Sequence, residues 1–482
     1  MPFAIVAPDG TLTYEELDLA SRRVAAALLN GAADLEQARI AFFVPPSWVH
    51  VAVQRGIWKA GGVAVPLALS HPAPELEYVL RDSDARTVIA DRASLATITP
   101  VAARAGVEVL CAEDALQAAP ATELPHIGSP RRAMIIYTSG TTGRPKGVVS
   151  THANIGAQVA ALVEAWGWTS TDRILHVLPL HHVHGIINAL CSPLAVHATC
   201  EMLPAFDATV VWERFASGEI TVFTAVPTVY HRLIGAWESA DEPTRVRWSA
   251  GARGLRLMMS GSAALPVKTL ERWRTITGHT LLERYGMTEI GMALSNPLEG
   301  ERRPGYVGVP LPGVELRLVN EAGNPVDPSA PGELEVRGPN VFGEYWRRPE
   351  ETAAAFRDGW FRTGDMGVVE GGICRLMGRT SVDIIKTGGY KVSALEIEEV
   401  LRTHPAIGEC AVVGIGDAEW GERVSVAVEL SPGATLELGD LQQWAKAQLA
   451  PYKVPRALHI IDALPRNAMG KVVKPEVAKV FR

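Results

Sequence analysis

The chain of 482 residues is poor in several features that mark large protein classes. Cysteine is scarce: Cys111, Cys191, Cys200, Cys374 and Cys410 are odd in number and form no C-x-x-C pair. This argues against a disulfide framework or a thiolate zinc site, and a reducing compartment is the simplest reading. No window offers about 18 uninterrupted apolar residues, which argues against a membrane-spanning helix. The N-terminal run Met1-Pro2-Phe3-Ala4-Ile5-Val6 has no charged n-region and no long apolar core. No secretory signal is read there, and a cytoplasmic location is expected. Positive charge is not in excess: 46 Lys and Arg stand against 53 Asp and Glu, for a net charge of -7 with both signs interspersed. No nucleic-acid footprint and no basic membrane patch follow from that balance. An anionic substrate therefore depends on local cations. Fixed-period repeats and low-complexity segments are lacking too.

What remains is an ordinary globular composition, 47% hydrophobic and 21% charged, long enough for about two to four domains or subdomains. Thr13 and Glu16 have capping-box spacing, and Leu17, Ala20, Val24 and Leu28 follow at helical intervals, so residues 14–29 read as an amphipathic helix. Short apolar strands then alternate with helices: residues 39–44, 63–66, 87–90, 133–137, 173–178, 222–226 and 255–260. That alternation implies parallel sheets covered on both faces. After about residue 305, Gly and Pro become frequent and short alternating strands (315–319, 332–336) suggest an antiparallel subdomain. A break falls near Gly378-Arg379. Beyond it, a helix from Ser393, strands at 410–415 and 424–430, a helix at 438–449 and a strand at 457–461 describe a compact α+β unit with its own core.

The most informative stretch is Tyr137-Thr138-Ser139-Gly140-Thr141-Thr142-Gly143-Arg144-Pro145-Lys146-Gly147. Its glycines let backbone N–H groups approach an anion, its Ser and Thr hydroxyls can wrap phosphate oxygens, and Lys146 can balance their charge. It is not a Walker A loop, which needs glycine directly before the lysine and Ser/Thr directly after it. Pro145 removes a donor and disfavours helix at Arg144, so a mobile loop is expected. A solvated Gly/Ser/Thr linker is the bland alternative.

Four further motifs fit one site. Glu283-Arg284-Tyr285-Gly286-Met287-Thr288-Glu289 offers a flat ring for a base, a hydroxyl for phosphate, and a carboxylate suited to Mg²⁺. Trp360-Phe361-Arg362-Thr363-Gly364-Asp365 reads as a turn presenting a carboxylate that can accept from both hydroxyls of a ribose. Gly378-Arg379 lies at the domain break. Pro465-Arg466-Asn467-Ala468-Met469-Gly470-Lys471 is a terminal loop presenting a lysine. Taken singly, Tyr285 reads equally as a core aromatic, Asp365 as a turn residue, and Lys471 as a surface lysine.

Together these motifs resemble the acyl-adenylate-forming superfamily, which holds acyl-CoA synthetases, firefly-type luciferases and peptide-synthetase adenylation domains. The resemblance runs from Thr13 to Lys471. It implies an α/β fold: a large N-terminal domain (1–379) of two βαβ-type subdomains plus a small β subdomain, with a small mobile α+β C-terminal domain (380–482). It implies ATP, Mg²⁺ and coenzyme A as cosubstrates and cofactor. By the same resemblance, Thr138, Ser139, Gly140, Thr141, Thr142 and Lys146 hold the ATP phosphates. Gly261, Ser262, Ala263 and Tyr285 line the adenine pocket, within a nucleotide site that also takes in Glu283, Arg284, Gly286 and Met287. Thr288 meets the α-phosphate, Glu289 helps hold Mg²⁺, and Asp365 and Arg379 bind the ribose. Lys471 bridges the substrate carboxylate and the α-phosphate. Rotation of the small domain then replaces Lys471 by the loop Gly388, Gly389, Tyr390 and Lys391, which lines the coenzyme A tunnel. The hinge lies within Thr380 to Asp383. The stretch from Arg379 to Gly388 reads one residue longer than in many members, which leaves the single hinge residue open.

The acid is addressed by two arginines. Arg284 stands where many members carry an uncharged residue, and Arg232 lies on an expected helix lining the acyl pocket. Buried arginines are costly unless paired, so two of them suggest a substrate with a second carboxylate. The alternatives are that Arg284 pairs with Glu283 or another internal acid and that Arg232 is solvated. The strings from Leu178 to Gly185, from Ser260 to Pro266 and from Gly378 to Lys391 resemble malonyl-CoA synthetases, above all their mitochondrial malonyl/methylmalonyl branch. That resemblance implies Arg232 and Arg284, with His184 and Ser260 nearby, as the holders of the distal carboxylate. His181, His182 and His184 also raise a metal reading, but they give no i, i+4 pair and no carboxylate sits beside them. The readings left open are a synthetase for a small dicarboxylic acid, one for a monocarboxylate, and a non-catalytic adenylate-binding protein. Oligomeric state is not addressed by the sequence.

Overall fold

The computed structural model describes residues 3–138, 145–380, 382–387, 390–417, 419–467 and 470–481. The first helix, Tyr14–Leu29, opens on the expected capping box: Thr13 Oγ1 accepts from Glu16 N–H, and the Glu16 carboxylate accepts from Thr13 N–H. Its buried stripe of Leu17, Ala20, Val24 and Leu29 packs on the helix Trp48–Lys59. That crossing is tight, because a Cβ at Gly56 would lie 2.6 Å from the Val24 side chain. Glycine is needed there for the close approach.

Among the described residues, one sheet has seven strands, in the order Glu344–Tyr345, Lys146–Thr151, Arg132–Thr138, Val63–Pro66, Arg39–Phe43, Ala85–Ala90, Glu108–Cys111. A second has nine: Val309–Pro310, Gly291–Ser295, Leu282–Met287, Leu257–Ser260, Val222–Ala225, Arg173–His176, Thr199–Met202, Phe3–Ala7, Gly10–Thr13. Their interiors are parallel, as the alternation predicts. One edge of the first and both edges of the second are antiparallel. Lys146–Thr151 returns antiparallel along Arg132–Thr138, and Gly291–Ser295 returns along Leu282–Met287. A connection of a few residues can only reverse a strand, whereas a parallel pair needs a crossover of a dozen or more. The N-terminal hairpin joins the second sheet through a parallel pair between Phe3–Ala7 and Thr199–Met202, a distant pairing with no local signal.

The third sheet is antiparallel, in the order Glu315–Val319, Gly332–Arg337, Trp360–Glu370, Phe356–Arg357, with Ile373–Arg379 pairing Trp360–Glu370. It corrects one expectation. Asp365 lies within the long strand Trp360–Glu370 rather than in a turn, directly opposite Arg379. The fourth sheet belongs to the small domain and runs Tyr390–Ser393, Ile384–Thr387, Gly421–Leu430, Ile407–Asp417, with Ala457–Ile460 parallel to Gly421–Leu430. Its core of Ile397, Leu401, Val412, Val424, Val426, Val428 and Leu441 is fully buried, each side chain contributing roughly 1.5–3 kcal/mol. The helices sit where the periodicity puts them, at Ala394–Leu401 behind the Ser393 cap and at Leu438–Lys446.

The small domain touches the large one at two places that matter for the site. Val267 N–H, at the start of the helix Val267–Thr277, donates to Glu399 Oε2 at 3.1 Å. Gly470 packs against Thr228, such that a Cβ there would lie 3.2 Å from Thr228 Oγ1.

Candidate active site

Strand Leu282–Met287 carries Arg284 into the interior, 3% exposed. Nη2 of Arg284 contacts His184 Nε2, while Nε and Nη1 have no hydrogen-bond partner. Among the described residues no carboxylate pairs with this guanidinium. Burial lowers it to about 10, still cationic at neutral pH. The internal pairing with Glu283 does not form. Glu283 takes its carboxyl to the Gly305 N–H at 3.0 Å, and burial pushes it up to about 8. Successive side chains on a strand point to opposite faces, which separates the two.

His184 heads a π-helical turn, His184–Cys191, that the sequence did not signal. Burial and then the Arg284 charge hold its imidazole neutral, well below its ordinary range. Arginine can only donate, so Nε2 is the acceptor and Nδ1 carries the proton. That proton faces Ser262 Oγ at 3.2 Å, and Thr224 Oγ1 lies 2.9 Å from Nε2. Ser262 holds φ +69°, a left-handed backbone uncommon for serine and often kept at functional sites. Beside it, a Cβ on Gly261 would come within 2.2 Å of Arg284 Nη1. Ser260 is fully buried and its hydroxyl has no partner. Arg284, Thr224 and Ser262 thus meet at His184, and Arg284 and Ser260 are short of partners.

Arg232 is elsewhere. It is exposed on the helix Pro227–Ser239, four residues after Thr228 and so on the face that meets Gly470. The two arginines do not form one buried pair. Arg284 is the interior cation and Arg232 stands at the side where the Lys471 loop packs.

On the nucleotide side, the hydroxyl of buried Tyr285 donates to Asp365 Oδ2, and Arg379 Nε lies 3.3 Å from Asp365 Oδ1. Burial raises the Asp365 carboxyl while Arg379 pulls it down. Strand register sets this cluster. Lys146, at the start of its strand, pairs with Glu351 at 2.9 Å and lies 5.1 Å from the centre of the Tyr345 ring. Thr138 ends the facing strand, opposite Lys146. Ser139, Gly140, Thr141 and Thr142 lie outside the described residues, as do Gly388 and Gly389. Gly286, Met287 and Thr288 are half-buried at the end of the Arg284 strand, and Ala263 is exposed on the turn after Ser260. Glu289 is buried, accepts from Tyr345 Oη at 3.0 Å, and has its carboxyl raised by burial against the pull of Arg379 and Lys146.

Lys471 arrives from the small domain on a loop closed by Asn467, whose Oδ1 accepts from Lys471 N–H at 3.0 Å and whose N–H donates to Lys471 O at 2.9 Å. Burial first, and then the Arg379 charge, lower its ammonium to about 8; Asp365 opposes and Arg284 adds to the lowering. Lys471 therefore stands among the residues of both halves. Tyr390 does not: it is 54% exposed and stacks on Tyr452 at 4.2 Å. Nothing is described of the Lys391 side chain.

The structure gives three residues contacts that the sequence did not assign to them. His182 is half-buried and close enough to Lys471 for that charge, after desolvation, to hold it near 4. Thr224 supplies the hydroxyl on His184. Asp383 accepts from Arg379 N–H at 2.9 Å across the chain link and pairs with Lys474 of the small domain at 2.5 Å. Lys474 in turn pairs with Glu398 at 2.8 Å. The Gly-Arg-x-x-x-Asp spacing carries that last signal.

No cluster of three or more His, Cys, Asp or Glu among the described residues has metal-holding geometry. Glu289 alone fits Mg²⁺, which is commonly held by one or two carboxylates with substrate phosphates and water. Its carboxyl is buried within reach of the Lys146 charge, at the start of the strand that follows the Gly/Ser/Thr-rich loop. No described helix is long and apolar enough to cross a membrane.

Residues 3–346 match the AMP-binding enzyme family, and residues 396–471 match the AMP-binding enzyme C-terminal domain. The chain belongs to this family of adenylate-forming enzymes. It is 51% identical over 480 residues to the mitochondrial malonate–CoA ligase ACSF3 of Mus musculus, covering 92% of this chain and 82% of that protein. The Homo sapiens protein of the same name is 48% identical over 516 residues, covering 99% and 90%. ATP-bound MatB from Rhodopseudomonas palustris superposes with a TM-score of 0.92 at 35% identity, covering 100% of this chain and 96% of that one. A malonyl-CoA ligase product complex with methylmalonyl-CoA and AMP gives 0.72 at 37% identity, covering 96% and 97%. The cytoplasmic expectation is corrected by these relatives, whose names place them in mitochondria.

Proposed function

We propose that this chain is an ATP-dependent malonate–CoA ligase, an AMP-forming acid–thiol ligase that works through a malonyl adenylate. The observation that carries the choice of acid is Arg284, a buried guanidinium with two unpartnered nitrogens and no carboxylate partner among the described residues. A second carboxylate on the substrate supplies the missing charge and accepts from Nε and Nη1. Methylmalonate carries the same pair of carboxylates and is the second acid proposed.

In the first step a carboxylate oxygen attacks the α-phosphorus of ATP and pyrophosphate leaves. Two anions must meet, and Lys471 is the cation placed between the acyl and nucleotide halves to screen them where charge builds. Lys146 exchanges Glu351 for the β and γ phosphates, with Thr138, Ser139, Gly140, Thr141 and Thr142 around them. Mg²⁺ held by Glu289 and phosphate oxygens would neutralise phosphate charge. Thr288 is assigned to the α-phosphate. Asp365 turns from Tyr285 and Arg379 to the ribose hydroxyls, leaving the Tyr285 ring as one wall for the base.

In the second step the thiol of coenzyme A attacks the acyl carbonyl and AMP leaves. The residues from 380 onward rotate as a lid about the link at Thr380–Asp383, removing Lys471 and bringing in Gly388, Gly389, Tyr390 and Lys391. Support comes from the exposed Tyr390 beside an inserted Lys471, and from the closer likeness to the ATP-bound relative than to the thioester product complex at nearly equal identity. Arg232, exposed beside the Lys471 loop, is assigned to the entering carboxylate. Incubation with malonate, ATP, Mg²⁺ and coenzyme A should yield malonyl-CoA, AMP and pyrophosphate by mass spectrometry. ADP and phosphate in place of AMP and pyrophosphate would refute the adenylate route.

A further inference from the structure

Away from the site just described, a cavity of about 510 Å³ opens between the helix Trp48–Lys59, the start of the helix His152–Ala165, and the far end of the π-helical turn. None of the acyl or nucleotide residues lines it. Its size is that of a small-molecule pocket. Its walls are mainly apolar, with Val51, Trp58, Leu190 and Leu194 among the residues that line it.

Two polar features break those walls. Gln54 is 1% exposed and its Oε1 has no hydrogen-bond partner, while its Nε2 is committed to Cys191 Sγ at 3.6 Å. A buried acceptor without a donor is a deficit that an incoming donor can relieve. Arg55, half-buried on the same helix, has neither a hydrogen bond nor an ion pair among the described residues. Its neighbour Lys59 is already matched by Asp18 at 2.6 Å. The cavity therefore carries one unmatched cation, one unmatched acceptor and an apolar wall.

We propose that this cavity is a second ligand site that binds an organic carboxylate with an apolar body. Arg55 holds the carboxylate bidentately, and the chain or ring lies against Val51, Trp58, Leu190 and Leu194. A proton donor on the ligand, or a water carried in with the carboxylate, reaches Gln54 Oε1. The acid bound here differs from the one proposed for Arg284. That pocket completes its charge with a second carboxylate, whereas this one pairs a single cation with apolar surface.

The test is isothermal titration of the full chain with octanoate, run with saturating malonate so that the Arg284 pocket is filled. The site predicts one saturable octanoate per chain, an affinity at least roughly tenfold weaker in Arg55→Gln, which is about 1.4 kcal/mol, and loss of binding in Ala195→Phe, where the added ring blocks the rim. Arg55→Gln should keep malonate-dependent pyrophosphate release without octanoate, which shows that it folds. No saturable binding to the wild type, equal binding by Arg55→Gln, or displacement of octanoate by malonate would each overturn the proposal. The octanoate affinities of the wild type, Arg55→Gln and Ala195→Phe are read by calorimetry, and only the folding control uses malonate turnover.

Discussion

Arg284 Nη2 rests on His184 Nε2, and neither residue has a carboxylate beside it among the described residues. A neutral histidine is a weak acceptor for a guanidinium, so the cation is held in place without being neutralised. That arrangement is preorganised for an anion that arrives with the substrate.

Removing the cation should therefore cost malonate far more than a monocarboxylate. Losing one partner of a buried charge pair costs about 2–5 kcal/mol, so Arg284→Gln should lower kcat/KM for malonate by on the order of a hundredfold or more. Propionate turnover should change little. Steady-state pyrophosphate release with both acids measures the difference, and equal losses would show that Arg284 only supports the fold.

Gly261 tests the same relationship from the backbone. A methyl group there would lie 2.2 Å from Arg284 Nη1 and displace the guanidinium. Gly261→Ala should raise the malonate KM by roughly tenfold or more while the ATP KM stays within about twofold. Competition assays that vary each substrate in turn separate the two, and an effect on ATP alone would contradict the geometry.

The pH dependence follows from Lys471. Its ammonium titrates near 8 because burial and the Arg379 and Arg284 charges disfavour it. The working form is the ammonium, which is present below that pKa and lost above it. The kcat/KM for malonate, which reports the free enzyme, should fall as pH rises through about 8. The kcat should hold to higher pH, because bound anions favour the charged form. A kcat/KM profile flat to about pH 10, the ordinary lysine range, would remove Lys471 from the acid–base account.

The fold and the site were legible to different depths. Helix Tyr14–Leu29 was readable because capping and periodicity are local. The Gly/Ser/Thr-rich loop, the Tyr285 strand and the Lys471 loop stood out as motifs because each gathers its polar groups into a few consecutive residues. Long-range facts were not. Pairing of Phe3–Ala7 with Thr199–Met202 is a contact between distant segments. The mid-strand seat of Asp365 depends on register with Arg379. Burial, too, is set by tertiary packing: Arg232 and Arg284 looked alike in sequence, yet only the second is interior.

The contact between Val267 and Glu399 gives the two-arrangement account its own check. Glu399 Oε2 accepts from the first N–H of the helix Val267–Thr277, whose own N-cap, Pro266, makes no side-chain bond. Glu399→Ala should weaken the arrangement that inserts Lys471 by about 0.5–2 kcal/mol, the usual worth of a cap. Adenylate formation in single turnover should slow by a few-fold. Thioester formation from supplied malonyl adenylate should not slow. If both half-reactions slowed together, the contact would not be specific to one arrangement.

Comparison of kcat/KM for coenzyme A thioester formation from malonate, methylmalonate, succinate, propionate and acetate tests the central claim most directly. The account predicts malonate first, methylmalonate next, and both monocarboxylates at least roughly a hundredfold lower, with that gap closing in Arg284→Gln. A wild-type preference for acetate or propionate would contradict it.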